Sequence, residues 1–550
     1  MGGTLNSNLP LLKMRGFIVH SVRTLYRVCL MRAAYMASAQ SDIGRAFAAD
    51  LEAVFSIQRL RDEIEALNQE IADILSATDL DEDGWTSIAN RHLMKGKVRQ
   101  AAKAYKIALA IAPSRLDIYA GLGQTYYNEF NYGEAIKCFL HLVAADPDNL
   151  RYYHMLGASY HLAGRRNEAV AAWSNCMKVQ ARLAEKADLP ASPRYLPGIF
   201  TQAIGHIACV DIWAKRQLLG LSTVERYIIQ APHGYVANAS YLDLWRHHFE
   251  VITGEEPELT KQSSLLGDNI TVVSLAGDWL WFLDAACEIQ DRWDASARGP
   301  ILKISPDHQQ RGRAALSALG LPDGAWFVCL HVRDSDPSQS GDSFVSLRSN
   351  DCEDYIPAIK QVVDAGGWVV RLGDRSASRM PNLAQLIDYA HADQQDWIDV
   401  YLLSTAKFII ATNSGPMWAA GTFGVPVLYT NAAPIGIQSY FKDTITLPQL
   451  VWSDQLNRLL SFEEQMQEPV AWIDTAEVLV RKGYKPVKNT PLEIVAGVEE
   501  MLSRLSGDAV ADEANELRQR RYKALLTKSG ISGRGQVGRQ FLQVHEELIP

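Results

Sequence analysis

Polar residues that could bind a phosphate follow an apolar run in the second half of the chain. His331, Arg333 and Asp334 come directly after residues 327–330. If residues 327–332 form a β-strand, His331 and Arg333 point to the same face at its end. An arginine there could bind a pyrophosphate through two parallel hydrogen bonds, and the histidine could polarise or position a nearby oxygen. This group predicts an anion site, with a hydrogen-bonded core histidine as the alternative for His331.

A second charged pair follows the next apolar run. Arg371 and Asp374 come after residues 368–370, and Gly373 between them permits a tight turn. The pair either supplies a cation to the same anion site or forms a salt bridge that closes the turn. Both side chains are therefore candidates for substrate binding.

A turn of small residues follows a third apolar run. Asn413, Ser414 and Gly415 come after residues 408–411 and precede a predicted short helix over 416–423. Such a turn presents backbone N–H groups at a helix N-terminus and suits a phosphate, although it could equally be a plain strand-to-helix connection. Because ligands of open α/β sheets bind at the carboxyl ends of the strands, the three groups together favour one common site.

Several other kinds of site are disfavoured by motif. The sequence lacks a GxGxxG after the first predicted strand, a GxxxxGK[ST] loop and a GxSxG elbow. Asp334 and Asp336 have the D-x-D spacing that could hold a cation on a diphosphate, but Arg333 beside them already offers positive charge. The seven cysteines include no CxxC pair. We therefore expect no metal, no cofactor and a reducing compartment.

The overall composition is that of a soluble globular protein. Of the 550 residues, 47% are hydrophobic and 21% are charged, and the formal net charge of -9 argues against a nucleic-acid binder. The longest uncharged stretch, residues 408–441, is interrupted by glycine and proline and reads as part of a soluble domain. Residues 15–36 form a basic amphipathic pattern that could lie on an anionic membrane surface or pack on the next domain. We expect a cytoplasmic protein, with peripheral contact at the inner face of the membrane as an option.

The elements that must position the candidate site are short strands alternating with helices. Prolines at 190, 193 and 197 mark a boundary, after which apolar runs bounded by glycine and proline predict parallel strands covered by helices. The sequence predicts two Rossmann-like α/β units, 195–305 and 325–505, facing each other across a cleft, and a C-terminal helical tail, 506–550. The predicted strands are 227–229, 248–252, 270–275, 326–332, 368–372, 408–411 and 425–429.

The first half of the chain carries an internal repeat. Aromatic and small residues recur between residues 81 and 190, as in Tyr119, Gly123 and Ala135, followed by Tyr153, Gly157 and Ala169 one period later. This matches the tetratricopeptide pattern and predicts three repeats of paired helices. Such repeats bind partners or dock on the next domain of the same chain. Before them, residues 1–80 are predicted to be helical, with heptad spacing between 57 and 74 that suits a coiled coil or a docked helix.

The order of motifs in the α/β half resembles a known bacterial family. Its members are glycosyltransferases, often fused to tetratricopeptide repeats and associated with surface polysaccharide synthesis, and they are distantly similar to fucosyltransferase-like enzymes with the two-Rossmann (GT-B) fold. The residues that carry the resemblance are Gly198, Gly205, His206, His331, Arg333, Asp334, Leu347, Arg348, Asn350, Asp351, Tyr355, Arg371, Gly373, Asp374, Asp399, Leu402, Ser414, Gly415, Phe423, Gly424, Pro426, Thr430, Asn431, Phe541 and Leu542.

The resemblance implies an inverting, metal-independent sugar transfer from a nucleoside-diphosphate donor to a surface-glycan or lipid-linked acceptor. In the relatives an arginine of the His-x-Arg motif holds the β-phosphate of the donor, and Arg333 matches it. The acceptor hydroxyl needs a base or a close hydrogen-bond acceptor, for which His206 and Asp334 are the candidates. Arg348 is a further candidate for substrate binding.

Two other functions stay open. The first is a repeat-guided protein O-glycosyltransferase, and the second is a non-catalytic scaffold that binds a protein partner through its repeats. The expected partners are accordingly a nucleotide sugar, a glycan or glycolipid acceptor and a protein bound to the repeats, with no nucleic acid.

Overall fold

The computed structural model describes residues 80–190, 192–254, 257–333, 347, 350–467, 469–508 and 512–550. The predicted amphipathic and coiled-coil segments lie outside these described residues, and so do the candidate site residues Asp334 and Arg348. Residues 86–550 form one compact unit, and the packing described below is within it.

The repeat region consists of six helices, which confirms the predicted helical repeats. Small residues let paired helices approach closely: a Cβ atom at Gly157 would lie 2.3 Å from Nε1 of Trp173, and one at Gly123 would lie 3.1 Å from Cβ of Cys138. Phe139, Trp173 and the repeat alanines Ala135 and Ala169 are buried between the helices, whereas Tyr119 and Tyr153 are half-buried. The helices are α1 (Glu82–Met94), α2 (Val98–Ile111), α3 (Leu116–Asn128), α4 (Tyr132–Ala145), α5 (Leu150–Leu162) and α6 (Arg166–Lys186).

The first α/β region contains a three-stranded parallel sheet in the order β1-β2-β3. Every residue of the central strand β2 is buried, as expected for a strand covered on both faces. The elements are β1 (Arg194–Leu196), α7 (Ile204–Leu218), β2 (Tyr227–Ala231), α8 (Ala239–Leu244), β3 (Glu250–Thr253) and α9 (Pro257–Leu266).

One predicted parallel strand is wrong. Residues 270–275 were expected in the parallel sheet, but β4 (Val272–Leu275) pairs antiparallel with β5 (Asp278–Trp281) in a separate hairpin. Helix α10 (Phe282–Ala295) follows the hairpin directly. The parallel sheet gains β1 instead, a strand absent from the sequence prediction.

The second α/β region has a seven-stranded sheet in the order β15-β11-β10-β9-β6-β7-β8, and all of its strand pairs are parallel. Counted from β6, this is the doubly wound order 3-2-1-4-5-6 with one further strand at the edge. Its elements are α11 (Pro306–Ala318), β6 (Phe327–His331), α12 (Ile356–Asp364), β7 (Trp368–Arg371), β8 (Leu386–Ile387), α13 (Asp396–Thr405), β9 (Ile409–Ala411), α14 (Gly415–Thr422), β10 (Val427–Ala432) and β11 (Thr444–Pro448).

The rest of the chain completes this region. A small antiparallel sheet forms beside it in the order β13-β12-β14. The tail predicted as helical also supplies β15, the edge strand next to β11. No described helix is both long and apolar enough to cross a membrane. The remaining elements are β12 (Leu450–Ser453), β13 (Arg458–Leu459), α15 (Phe462–Gln465), α16 (Ala476–Arg481), β14 (Tyr484–Val487), α17 (Pro491–Ser506), α18 (Glu513–Lys528), β15 (Gln536–Val537) and α19 (Arg539–Val544).

The two α/β regions share a hydrophobic core. Buried residues of the first region, such as Trp213, belong to the same apolar cluster as Tyr429 and Tyr440 of the second. Helices α7 and α14 pack against each other, and the hydroxyl groups of Tyr241 and Thr422 lie 2.7 Å apart across the boundary. The two regions are thus joined by a continuous buried contact.

The repeats dock on both α/β regions. His161 of α5 stacks on Trp281 of β5 with ring centroids 4.8 Å apart, and Trp173 of α6 stacks on the same Trp281 ring at 6.2 Å. Gln180 donates to the carbonyl of Gly267 at 2.8 Å. Arg481 of the second region forms an ion pair with Glu129 between α3 and α4.

Candidate functional site

The candidate residues gather where the strand order of the seven-stranded sheet reverses. Strands β6 and β9 are neighbours in the sheet, but the chain leaves β6 toward β7 on one side and leaves β9 toward β10 on the other. The loops after two such strands diverge and leave a crevice at their carboxyl ends. His331 ends β6 in register with Ala411 of β9, which leads into Asn413, Ser414 and Gly415.

His331 is a partly buried, neutral histidine. Burial lowers the pKa of its ring to about 4, and the nearby guanidinium of Arg333 adds to that shift. Its Nδ1 is buried and has no hydrogen-bond partner among the described residues. At neutral pH the ring can therefore donate or accept a hydrogen bond, but it does not contribute a positive charge.

Arg333 lies just beyond the strand and is exposed. Its backbone N–H donates to Oγ1 of Thr412 at 3.3 Å, and its carbonyl accepts from the N–H of Asn350 at 2.8 Å. The first bond ties the loop after β6 to the segment after β9, and the second lies within the connection between β6 and β7. Thr412 was not among the predicted site residues. The only indication of its role in the sequence is its position between the third apolar run and the small-residue turn.

Asp374 lies in a tight turn after β7. The N–H of Ser376 donates to Oδ1 of Asp374 at 2.8 Å, and the Ser376 hydroxyl donates to the same oxygen. These hydrogen bonds hold the pKa of the carboxyl below its usual value, and the charge of Arg333 acts in the same direction. Asp374 is therefore ionised and within electrostatic reach of His331 and Arg333.

Arg371 requires a correction, because its described contacts point away from this crevice. Its guanidinium is fully buried and donates to the carbonyl of Ser378 at 2.6 Å, to Asp388 at 3.2 Å and to Sγ of Cys352 at 3.3 Å. The salt bridge with Asp374 considered from sequence is replaced by the one with Asp388. Arg371 holds the segment after β7 and is not available to a ligand at the ends of β6 and β9.

The small-residue turn begins helix α14. Ser414 is the N-cap, its side chain does not cap the helix, and its buried Oγ has no hydrogen-bond partner among the described residues. Asn413 donates to the carbonyl of Ala433 at 3.4 Å. Pro416 is at the start of the helix, where its missing N–H costs nothing.

Gly415 is where the two α/β regions touch. A Cβ atom at Gly415 would lie 2.4 Å from Cγ2 of Ile204 and 2.8 Å from the backbone nitrogen of Gly205. The first turns of α7 and α14 therefore meet backbone to backbone. This contact needs glycine at both positions, because a Cβ at Gly205 would lie 3.0 Å from Cα of Gly415.

His206 lies in the first turn of α7, next to that contact. Its Nδ1 is 2.9 Å from the carbonyl oxygen of Ile199, which can only accept a hydrogen bond. Nδ1 therefore carries the proton, and Nε2 is left with a lone pair that can accept one.

Some of the residues that carry the resemblance are structural. Asn431 of β10 exchanges two hydrogen bonds with Asn489, in which its N–H donates to Oδ1 of Asn489 at 2.5 Å and its Oδ1 accepts from the Asn489 N–H at 2.6 Å. Tyr355 bonds to Oγ1 of Thr430 at 2.8 Å and accepts from Asn431 at 3.2 Å. Asn489 lies too far along the chain for sequence alone to pair it with Asn431.

Metal ligands are not clustered in the described part of the chain. No group of three or more His, Cys, Asp or Glu side chains there could hold an ion. The polar groups at the ends of β6 and β9 are instead one guanidinium, a neutral imidazole, a hydroxyl and backbone N–H groups, which suit an anionic oxygen ligand.

The comparison with protein families identifies one match. Residues 92–160 match the tetratricopeptide repeat. No curated protein matches the chain.

Among solved structures, similarity is low in identity and partial in length. A structure of MamA is 22% identical, covers 19% of this chain and has a TM-score of 0.19, and 61% of the MamA chain is matched. The Yersinia enterocolitica type III secretion translocator chaperone SycD is 17% identical, covers 20% of this chain and 84% of its own, with a TM-score of 0.18. The second TPR of Spaghetti (RPAP3), bound to an HSP90 peptide, is 18% identical over 18% of this chain and 92% of its own, with a TM-score of 0.17. The chain thus contains tetratricopeptide repeats followed by an α/β region with a seven-stranded parallel sheet.

Proposed function

We propose that the α/β region transfers a sugar from a nucleoside-diphosphate donor to a glycan or glycolipid acceptor, with inversion and without a metal. The observation that carries this proposal is the doubly wound strand order, whose reversal lies between β6 and β9. Open α/β sheets bind their ligands at this point, and His331, Arg333 and the turn from Asn413 to Gly415 lie there.

The donor diphosphate would bind Arg333 and the start of α14. Arg333 supplies the charge, and the N–H groups of the first helical turn supply hydrogen bonds to phosphate oxygens. His331 would donate one further hydrogen bond as a neutral ring. Without a metal, such fixed donors must stabilise the charge that develops on the leaving diphosphate.

The acceptor hydroxyl would meet His206. Its Nε2 can take a proton because Nδ1 is held by the Ile199 carbonyl at 2.9 Å. A base on α7 would face the start of α14 from the other α/β region, as an in-line displacement with inversion requires. Asp334 stays the alternative base predicted from sequence.

Thermal unfolding of the full chain with GDP, UDP, CDP, TDP and ADP tests the donor site. We expect one nucleotide to raise the melting temperature, and we expect Arg333→Ala to weaken its binding by tenfold or more, because about 1.5–3 kcal/mol is lost with a charge-assisted hydrogen bond. Arg313→Ala, an exposed arginine of α11, is the matched control and should bind like the wild type. If no nucleotide binds, or if Arg333→Ala binds as well as the wild type, the proposal is wrong.

A protein-interaction scaffold is the second candidate, and the tetratricopeptide repeats favour it. A scaffold would bind a protein partner but would release no nucleoside diphosphate from any sugar nucleotide, and this result would distinguish it from a glycosyltransferase. The repeat-guided protein O-glycosyltransferase would instead release nucleoside diphosphate only when a peptide acceptor is present. Cytoplasmic location stays a prediction from sequence.

A further inference from the structure

A cavity of about 360 Å³ shares no lining residue with the candidate donor site and is built from four parts of the chain. Its walls come from the start of α6, from α10, from the segment before β11, and from α18 with the loop that follows it. A volume of this size suits a small molecule rather than a single water.

The charged side chains of the wall are mostly cations. Arg166, Lys442, Lys523 and Arg534 line the cavity, whereas Asp291 is its only carboxylate lining residue in the described part of the chain. Two more carboxylates, Asp284 and Asp294, pair with these cations from just outside the wall. The four cations thus face at most three carboxylates.

The ion pairs leave Lys523 as the excess cation. Arg166 pairs with Asp284 at 3.1 Å, and Arg534 pairs with Asp291 at 2.7 Å and with Asp294 at 2.8 Å. Lys442 is 3.7 Å from Asp294 and shares it with Arg534. Lys523 has no carboxylate within ion-pair distance among the residues described.

Backbone donors are available in the same wall. The N–H groups of Ser532 and Gly533 donate to no other described residue, although both residues are half-buried. Cys287 also lines the wall, and burial raises the pKa of its thiol to about 12, so it adds no negative charge. Lys523 is exposed and lines the same cavity as Ser532 and Gly533, so the wall combines an ammonium with two unused amide groups, which is a donor set for an oxyanion.

We propose that this cavity binds a small oxyanion ligand, a metabolite that carries a phosphate or a carboxylate, with Lys523 and the amides of Ser532 and Gly533 as its main contacts. Because the repeats, both α/β regions and the tail all contribute to the wall, a bound ligand bridges four parts of the molecule. The site is separate from the proposed donor site and does not depend on it.

The test is thermal unfolding of the full chain titrated with inorganic phosphate and, separately, with citrate, at constant ionic strength set with chloride. We expect a saturable rise in melting temperature of about 2 °C with at least one of them. The phosphate and citrate arms tell a phosphate ligand from a carboxylate ligand. In Lys523→Ala we expect the half-saturating concentration to rise about tenfold.

Lys528→Ala is the matched control, because Lys528 lies on the same helix but pairs with Glu463 and does not line the cavity. It should respond like the wild type. A rise that does not saturate, or one that is equal in the wild type and Lys523→Ala, would overturn the proposal, because excluded salts stabilise every variant alike. Loss of the response in Arg333→Ala but not in Lys523→Ala would assign the anion to the proposed donor site instead.

Discussion

His331 and Arg371 end neighbouring strands, yet their side chains lie on opposite faces of the sheet. Arg371 is in register with Leu330, one residue before His331, and residues in register share a face. Leu330 belongs to the apolar cluster of α12 and α17, whereas Cys329 and Ala411 belong to the cluster shared with the first α/β region. Sequence spacing after the strands predicted both as ligands, but the register that separates them depends on how β6 pairs with β7.

The first residue-scale prediction concerns Arg371. We expect Arg371→Ala to lower the free energy of unfolding by about 3 kcal/mol, because it removes a buried cation and leaves Asp388 without its partner. Urea unfolding at pH 7 measures this loss. Unchanged stability together with a lost nucleotide response would return Arg371 to the phosphate-binding role.

The second residue-scale prediction concerns Asp399 of α13, which lies at the boundary between the α/β regions. Burial, and then the charge of Asp396, raise the pKa of its carboxyl from 3.8 to about 7. A carboxyl with a higher pKa in the folded state binds its proton more tightly there, so stability falls as the pH rises from 4 to 7. This pKa shift corresponds to a loss of at most about 4 kcal/mol in the free energy of unfolding. Because the carboxyl keeps some access to solvent, we expect a loss of about 2 kcal/mol.

Asp399→Asn should remove this pH dependence. We expect the variant to be more stable than the wild type at pH 8 and close to it at pH 4, measured by urea unfolding across that range. Asp393→Asn, an exposed neighbour, is the control and should keep the wild-type profile. Parallel curves for the wild type and Asp399→Asn would contradict the prediction.

At the scale of elements, the hairpin of β4 and β5 explains why one parallel strand was predicted wrongly. Val272 packs in the apolar cluster of the repeats, whereas Val273 packs in the core of the α/β regions. Both faces are thus buried, and the resulting continuous apolar run is what a central parallel strand also shows. The other predicted strands were recovered. Docking of a distant repeat on one face leaves no local sign in the sequence.

The element-scale prediction tests the close packing of the repeat helices. Gly157→Ala should lower the free energy of unfolding by about 1–3 kcal/mol, because the added methyl group would overlap the Trp173 ring. Gly133→Ala is the control, since nothing lies within 4 Å of a Cβ there. Urea unfolding should show Gly133→Ala equal to the wild type or slightly more stable, as alanine favours a helix. Equal effects of the two changes would mean that α5 and α6 are not packed as described.

At the scale of the whole molecule, the repeats act as a fixed support for the α/β regions. They contact the first region through Trp281 and Gly267 and the second through Arg481. The tail adds another connection, since Arg534 pairs with Asp291 and Asp294 of α10. Part of the repeat surface is therefore already occupied within the chain, and a protein partner would have to use the rest.

The last prediction tests whether the docking of the repeats makes residues 86–550 unfold in a single cooperative transition. Trp281 stacks on the rings of both His161 and Trp173, with centroid distances of 4.8 Å and 6.2 Å, so its removal leaves a hole at the contact between repeats and hairpin. We expect the wild type to unfold in one transition and Trp281→Ala to show an earlier one, with faster hydrogen exchange in α5 and α6. Trp397→Ala is the control, because Trp397 packs on His308 and Arg311, away from the repeats. It should lose stability without separating the transitions, and a separation equal to that in Trp281→Ala would argue against rigid docking of the repeats.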